Sequence, residues 1–508
     1  MSPPRPRALA LASASLALVL AAGCGSGTGA VRDDDSGKDG SGTAGSRIDW
    51  KPCSAPTVAQ GGGKAPGAGW ECGTLPVPLD YARPDGATVP LALIRARATD
   101  GKRRLGSLVF NFGGPGGSGV ATLPSFAKSY ADLRKRYDLV SFDPRGVGES
   151  AGVRCLTDQE LDAADRVDAT PDDDAEVTAA VELNRRFAHA CGERSGPVLA
   201  HVGTLSAARD MDRLRAALGD DRLHYFGISY GTELGAVYAH LFPRRVGRAV
   251  LDAVVDPRQD PAQGSLSQAK GFQLALDDYL EDCGAGCPSR DEISSLIERL
   301  DAKPLPTGVG RPLSQDQAVN GIAAALYSKD TWKYLTAGLR EALTKDKGTI
   351  LLLLSDSLAG RDPSGHYSNL QAANRAVSCA DAEQRYGPED VRRLLPAFRS
   401  ASPVFGESAA WALLQCTGWP VKGAWKTPES SVGAKGSAPI LVVGNTGDPA
   451  TPYEGAHNMA RALGPPAVEV TYKGEGHGAY NSGNACMKAL VDGYLLEGRV
   501  PQRGATCS

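Results

Sequence analysis

The pentapeptide Gly227-Ile228-Ser229-Tyr230-Gly231 constrains this chain more than any other stretch because of what lies on either side of it. Residues 223–226 form a short apolar run with the character of a strand, and residues 232–241 follow helical spacing. A serine between them occupies a sharp strand-to-helix bend. Glycines two positions away on each side remove the clashes such a bend would create. Gly235 and Ala239 continue a small face along the helix, letting it lie close to a sheet. A second match, Gly148-Glu149-Ser150-Ala151-Gly152, has no strand directly before it and reads as a turn after a strand ending at Phe142.

The surroundings repeat the strand–helix rhythm. Short apolar runs at 107–112, 137–142, 223–228, 249–255, 439–443 and 468–472 are separated by helical patterns, which predicts an α/β fold with a mostly parallel sheet. The spacing predicts a helix over 204–218, with Thr204 as its cap and Gly219 as its stop. Segments 74–81 and 88–98 flank Pro84-Asp85-Gly86 and predict an antiparallel hairpin. From about 257 to 435 the rhythm breaks into mainly helical patterning. The expected organisation is therefore a core in two parts, 50–256 and 436–508, interrupted by a large helical insertion over 257–435 folded over the sheet. At 42% hydrophobic and 22% charged the chain can bury such a core, and 55 basic against 58 acidic residues leave no basic excess for nucleic acid.

The N-terminus reads as an address. Arg5 and Arg7 precede an apolar run over 8–22 and then Gly23-Cys24, the pattern of a secretory signal over 1–24. The ending Leu20-Ala21-Ala22-Gly23-Cys24 resembles a bacterial lipobox, in which Cys24 is lipidated and anchors the chain to a membrane. A plain secretory signal with an incidental cysteine is the alternative. Residues 25–49, rich in Gly, Ser and Asp, predict a flexible tether. Of the 11 cysteines, setting Cys24 aside leaves an even number, which suits disulfides in an oxidising compartment. Pairing neighbours gives Cys53–Cys72, Cys155–Cys191, Cys283–Cys287, Cys379–Cys416 and Cys486–Cys507. With only 7 histidines and none at zinc-ligand spacing from a cysteine pair, no metal and no cofactor is expected.

A serine hydroxyl needs a base, and the base needs an orienting carboxylate. The order Ser…Asp…His predicts both in loops after later strands. Asp448 follows the run at 439–443 and precedes Thr451-Pro452-Tyr453-Glu454, which reads as a capping box with Pro at the first helical position. His477 lies in Gly474-Glu475-Gly476-His477-Gly478, after the last strand. Asp252 and Asp256 are rival acids. Backbone donors for an oxyanion are expected at Tyr230 and, from the loop Asn111-Phe112-Gly113-Gly114-Pro115-Gly116-Gly117, at Gly113 or Gly114. That loop has neither the dinucleotide spacing nor a P-loop lysine, so a phosphate cradle is the poorer reading.

Together, residues 112–119 (Phe-Gly-Gly-Pro-Gly-Gly-Ser-Gly), 141–150 (Ser-Phe-Asp-Pro-Arg-Gly-Val-Gly-Glu-Ser), 227–232 (Gly-Ile-Ser-Tyr-Gly-Thr), 445–452 (Asn-Thr-Gly-Asp-Pro-Ala-Thr-Pro) and 476–478 (Gly-His-Gly) resemble a known group. They are similar to the α/β-hydrolase peptidases that include prolyl iminopeptidases and, more closely, secreted actinobacterial tripeptidyl aminopeptidases. Phe112 stands where prolyl iminopeptidases usually carry His, which favours the tripeptidyl branch. The resemblance implies a catalytic set of Ser229, Asp448 and His477, and release of short peptides, tripeptides in the closer branch, from free N-termini. Holding a substrate ammonium takes carboxylates near the cleft. Asp277, Asp278, Glu281, Asp282, Asp381 and Glu383 are the candidates, with Asp381 singled out because it lies two residues from Cys379. A carboxylesterase or lipase using the same triad is the main alternative. A non-catalytic surface-binding lipoprotein on the same fold is another.

Overall fold

The structure is a computed structural model and describes residues 48–423 and 432–508. The expected signal, Cys24 and nearly all of the tether lie outside the described residues. Ten strands form one sheet: β1 (Lys51–Pro52), β2 (Trp70–Pro78), β3 (Thr88–Ala96), β4 (Gly106–Asn111), β5 (Tyr137–Phe142), β6 (Leu223–Ser229), β7 (Val246–Val254), β8 (Ile440–Gly447), β9 (Ala467–Glu475) and β10 (Ala505–Cys507). Their spatial order is β1-β2-β3-β5-β4-β6-β7-β8-β9-β10. The neighbours β5-β4-β6-β7-β8-β9-β10 are parallel throughout, and β1, β2 and β3 add an antiparallel edge.

The central strands are apolar runs because both sheet faces are covered. Val109, Val140, Leu251 and Val442 join one apolar cluster, while Leu108, Leu139, Val250 and Leu441 join another. Adjacent residues of one strand thus enter opposite cores, as a side-chain period of two requires. Between β7 and β8 the described residues form helices and no strand of the sheet. That stretch has an apolar core of its own, built on Phe272, Leu276, Ile322, Trp332, Leu339 and Leu351.

Five disulfides pair Cys53 with Cys72, Cys155 with Cys191, Cys283 with Cys287, Cys379 with Cys416 and Cys486 with Cys507. The hairpin forms with Pro78 opposite Thr88. Its first strand begins at Trp70, and β1 and β10 went unread because they are only two and three residues long. Two caps differ from expectation. Gly203 caps the Thr204–Ala217 helix, and the Thr204 hydroxyl is engaged elsewhere. The Thr451 capping box does not form, because the Thr451 N–H donates to Asp448 Oδ1 at 2.9 Å and the helix begins only at Glu454. Among the described residues no helix is long and apolar enough to cross a membrane.

Candidate active site

β6 ends at Ser229, and the Tyr230–Leu241 helix starts at the next residue. Ser229 holds φ 58° and ψ −127°, a strained conformation for a residue with a Cβ. The neighbouring glycines are a steric necessity. A Cβ on Gly227 would lie 2.3 Å from the Gly231 carbonyl oxygen, and one on Gly231 would lie 2.6 Å from that of Asn111. The second Gly-x-Ser-x-Gly is a turn after β5. Its Ser150 is fully buried, donates to the Asp143 carbonyl and accepts from the Ala92 N–H at 2.8 Å.

Parallel neighbours bring three strand ends to one edge of the sheet: Ser229 ends β6, Asp448 follows β8, and His477 follows β9. His477 Nδ1 lies 2.8 Å from Asp448 Oδ1 and 3.1 Å from Oδ2. Asp448 is almost wholly buried. Its Oδ1 also accepts from the Ala450 and Thr451 N–H groups and its Oδ2 from that of Gly478. A carboxylate held by that many donors fixes the imidazole with Nδ1 bound and Nε2 left for chemistry. Burial works against charging His477, but the Asp448 charge and hydrogen bond, with Asp252 behind them, hold its pKa above the ordinary histidine value. Ser229 Oγ makes no hydrogen bond among the described residues, and such contacts commonly tighten only when substrate arrives.

The rival acids do other work. Asp252, at the end of β7, accepts from the Ala479 and Tyr480 N–H groups and so shapes the loop that carries His477. Burial raises its pKa, partly offset by those donors. Asp256 accepts from Asn458 Nδ2. From the helical stretch, Tyr327 accepts the His477 N–H at 2.8 Å through its carbonyl and sets its ring edge-on to the imidazole, centroids 5.3 Å apart.

The loop after β4 packs on the serine. A Cβ on Gly113 would lie 2.8 Å from Ser229 Cβ and 3.1 Å from the Tyr230 nitrogen. Gly113 donates its own N–H to Asn111 Oδ1 at 3.0 Å, whereas the Gly114 N–H has no partner among the described residues. Tyr230, as first residue of its helix, has an N–H with no intrahelical acceptor.

Beside this loop opens a cavity of about 550 Å³ whose lining includes Pro115, Tyr230, Val255, Val377 and Leu413. Of the six acids considered for an ammonium, only Asp381 lines it. Asp277 pairs with Arg290, Asp282 pairs with Lys329, and Asp278 faces Glu475. Glu281 and Glu383 are exposed. Three further carboxylates line the cavity: Asp256, Asp260, which caps the Pro261–Cys283 helix, and Glu233, which was missed. The signal for it was a charge in the first turn of a helix that is otherwise buried nearly throughout. Asp381 accepts from the Thr204 N–H at 2.9 Å and from its hydroxyl at 2.6 Å. Glu233 has no hydrogen-bond or ion-pair partner among the described residues. Burial pushes Asp381 up to about 6, offset in part by Thr204. Burial and the Asp381 charge push Glu233 up to about 8.

A parallel sheet with covered faces, a serine on a strained strand-to-helix turn and an Asp–His pair at the adjoining strand ends define a serine enzyme of the α/β-hydrolase class. Comparison with known proteins narrows this. Residues 402–507 match the family model described as TAP-like protein. Over 491 residues the chain is 39% identical to the serine protease Hip1 of Mycobacterium tuberculosis, covering 91% of each. It is 39% identical over 457 residues to a carboxylesterase B of the same species, covering 86% of each. It is 33% identical over 477 residues to a tripeptidyl aminopeptidase of Streptomyces lividans, covering 91% of this chain and 86% of that one. The chain belongs to this TAP-like family of α/β-hydrolase serine enzymes.

Proposed function

We propose that this protein is an exported serine exopeptidase that releases short peptides, tripeptides by its kinship, from free N-termini. The observation that carries the reading is the cavity beside Tyr230 and Pro115. Its lining holds the carboxylates Glu233, Asp256, Asp260 and Asp381; its one cation, Arg258, pairs with Asp256, and Glu233 forms no ion pair among the described residues. An ammonium fits such a place, because a charge-assisted hydrogen bond is about twice as strong as a neutral one. Two of the relatives are named as peptidases, a serine protease and a tripeptidyl aminopeptidase.

Ser229 Oγ attacks the scissile carbonyl while His477 Nε2 takes its proton, and Asp448 holds the imidazolium that results. The tetrahedral oxyanion is received by the N–H groups of Tyr230 and Gly114, since that of Gly113 is already given to Asn111. His477 then protonates the leaving amine, and water hydrolyses the acyl-enzyme on Ser229 by the same route in reverse. The helical stretch between β7 and β8 acts as a lid limiting how much peptide enters. The signal pattern ending at Cys24 and the five disulfides support export, with lipid on Cys24 as the anchor. The apolar walls Val255, Val377 and Leu413 also suit an acyl chain, and one relative is named a carboxylesterase, which keeps an esterase as the second reading.

A tripeptide p-nitroanilide with a free amine, its N-acetylated counterpart and a short-chain p-nitrophenyl ester separate these readings. The expected result is cleavage of the free-amine amide over the acetylated one, lost in Ser229→Ala. Cleavage of the ester alone would replace the peptidase with the esterase.

A further inference from the structure

The two proposed oxyanion donors come from segments far apart in sequence, so something must hold them in register. One helix of the stretch between β7 and β8, Leu370–Asp381, touches both. In its first half, Asn374 Nδ2 donates to the Pro115 carbonyl at 3.0 Å. The backbones meet there as well: a Cβ on Gly116 would lie 2.7 Å from the Leu370 carbonyl oxygen and 2.8 Å from the Asn374 nitrogen. The oxyanion loop is therefore seated directly on this helix.

At the helix's last residue, Asp381 Oδ2 accepts from Thr204 Oγ1, which lies 2.6 Å from the Tyr230 hydroxyl. A threonine hydroxyl has one proton, and an ionised carboxylate can only accept. The chain therefore runs Tyr230 Oη–H to Thr204 Oγ1–H to Asp381. The residue whose backbone N–H is one donor is tied by its side chain to the end of the same helix whose middle holds the other donor's loop.

We propose that the Leu370–Asp381 helix is a strap across the oxyanion site, with Asn374 and Thr204 as positioning residues that set the separation of the two backbone donors. The inference rests on the oxyanion assignment above and not on the choice between peptide and ester. It makes turnover, and not binding alone, depend on contacts remote from the reacting atoms. Misplacing a donor by about 1 Å costs on the order of a hundredfold in rate.

The test uses the full chain with Asn374→Ala, Asn374→Asp, Thr204→Val and Thr204→Ser. Each is assayed on a free-amine tripeptide p-nitroanilide and on p-nitrophenyl acetate, which has no amine. The strap predicts that Asn374→Ala, and Asn374→Asp, which has no side-chain donor when ionised, lower kcat about 10- to 100-fold on both substrates, with KM changed by no more than about twofold. Thr204→Val should lower kcat on both, and Thr204→Ser, which keeps the hydroxyl, should restore most of it. Unchanged kcat in both Asn374→Ala and Thr204→Val, or losses confined to KM, would overturn the strap. If the parent cuts only the ester, the exopeptidase reading falls while the strap is still decided by kcat on the ester. Melting temperatures measured alongside separate positioning from unfolding: a kcat loss that merely follows a lost folded fraction, without rescue by Thr204→Ser, also overturns it.

Discussion

Ser229 keeps its positive φ because the atoms around it leave no alternative, and that makes the elbow brittle. With the Asn111 carbonyl 2.6 Å from where a Gly231 Cβ would be, Gly231→Ala has to shift the first helical turn or the loop after β4. The expected outcome is loss of fluorophosphonate labelling at Ser229, read on a gel, even where circular dichroism shows the fold retained. Asp448→Asn leaves the shape but removes the charge that holds His477 up. kcat should fall about 10⁴-fold, as when a triad carboxylate loses its charge. The sign of the pH dependence follows from the base. In the proposed mechanism His477 works neutral, so kcat should rise with pH through a pKa above the ordinary 6.5, and the acid limb in a kcat–pH profile should lie above that value. The cavity titrates separately. With Asp381 up at about 6 and Glu233 at about 8, its negative charge grows across that interval, while a peptide amine loses its proton near about 7.7–8. KM for a free-amine substrate should therefore pass through a minimum between these limits. Glu233→Gln should raise KM for that substrate and leave the acetylated one unchanged. The Asp448–His477 pair could be reached from sequence because each residue sits just past a strand, where a parallel sheet gathers its loops. Glu233 could not, because helical patterning shows that a charge is buried without showing that a cavity lies beside it.

At the scale of elements, the strands were legible wherever they are buried on both faces, since such strands are unbroken apolar runs. Their ends were not. β8 runs on through Gly444 to Gly447 and β9 through Glu475, where the residues are glycine and polar and the pairing between the two strands is irregular. Helix starts failed where another acceptor outbid the expected cap, one local and one distant in sequence. Asp448 takes the Thr451 N–H, and Asp381 takes both the N–H and hydroxyl of Thr204. The loop after β5 shows what such long-range acceptors are worth. Arg145 is buried and gives two bonds to Asp210 on the Thr204–Ala217 helix, and others to the carbonyls of Pro78, Leu79 and His201. Both partners of that ion pair are essentially inaccessible. Removing one leaves an uncompensated buried charge, so Asp210→Asn should cost about 3–5 kcal/mol, read by urea denaturation. A change under about 1 kcal/mol, the worth of an exposed pair, would mean that water reaches the site.

At the scale of the whole molecule, the disulfides differ in what they close. Cys283 and Cys287 are 4 residues apart, so their bond restricts the unfolded chain little, whereas Cys379 and Cys416 are 37 apart. Loop-closure entropy makes the longer bridge worth about 4 kcal/mol and the shorter about 2 kcal/mol. The longer one also borders the cavity. Cys416 lines the cavity, and Cys379 lies two residues before Asp381 on the helix that meets the oxyanion loop. Replacing both members of a pair by serine separates these effects. Cys283→Ser with Cys287→Ser should lower the melting temperature slightly and leave KM and kcat alone. Cys379→Ser with Cys416→Ser should lower the melting temperature more. Well below that transition, where the chain is still folded, it should also raise KM for free-amine peptides, because the cavity wall and the carboxylate that faces it are no longer fastened to each other. If the two double variants lose stability equally and KM stays at the parent value in both, the Cys379–Cys416 bridge has no special part in the cavity.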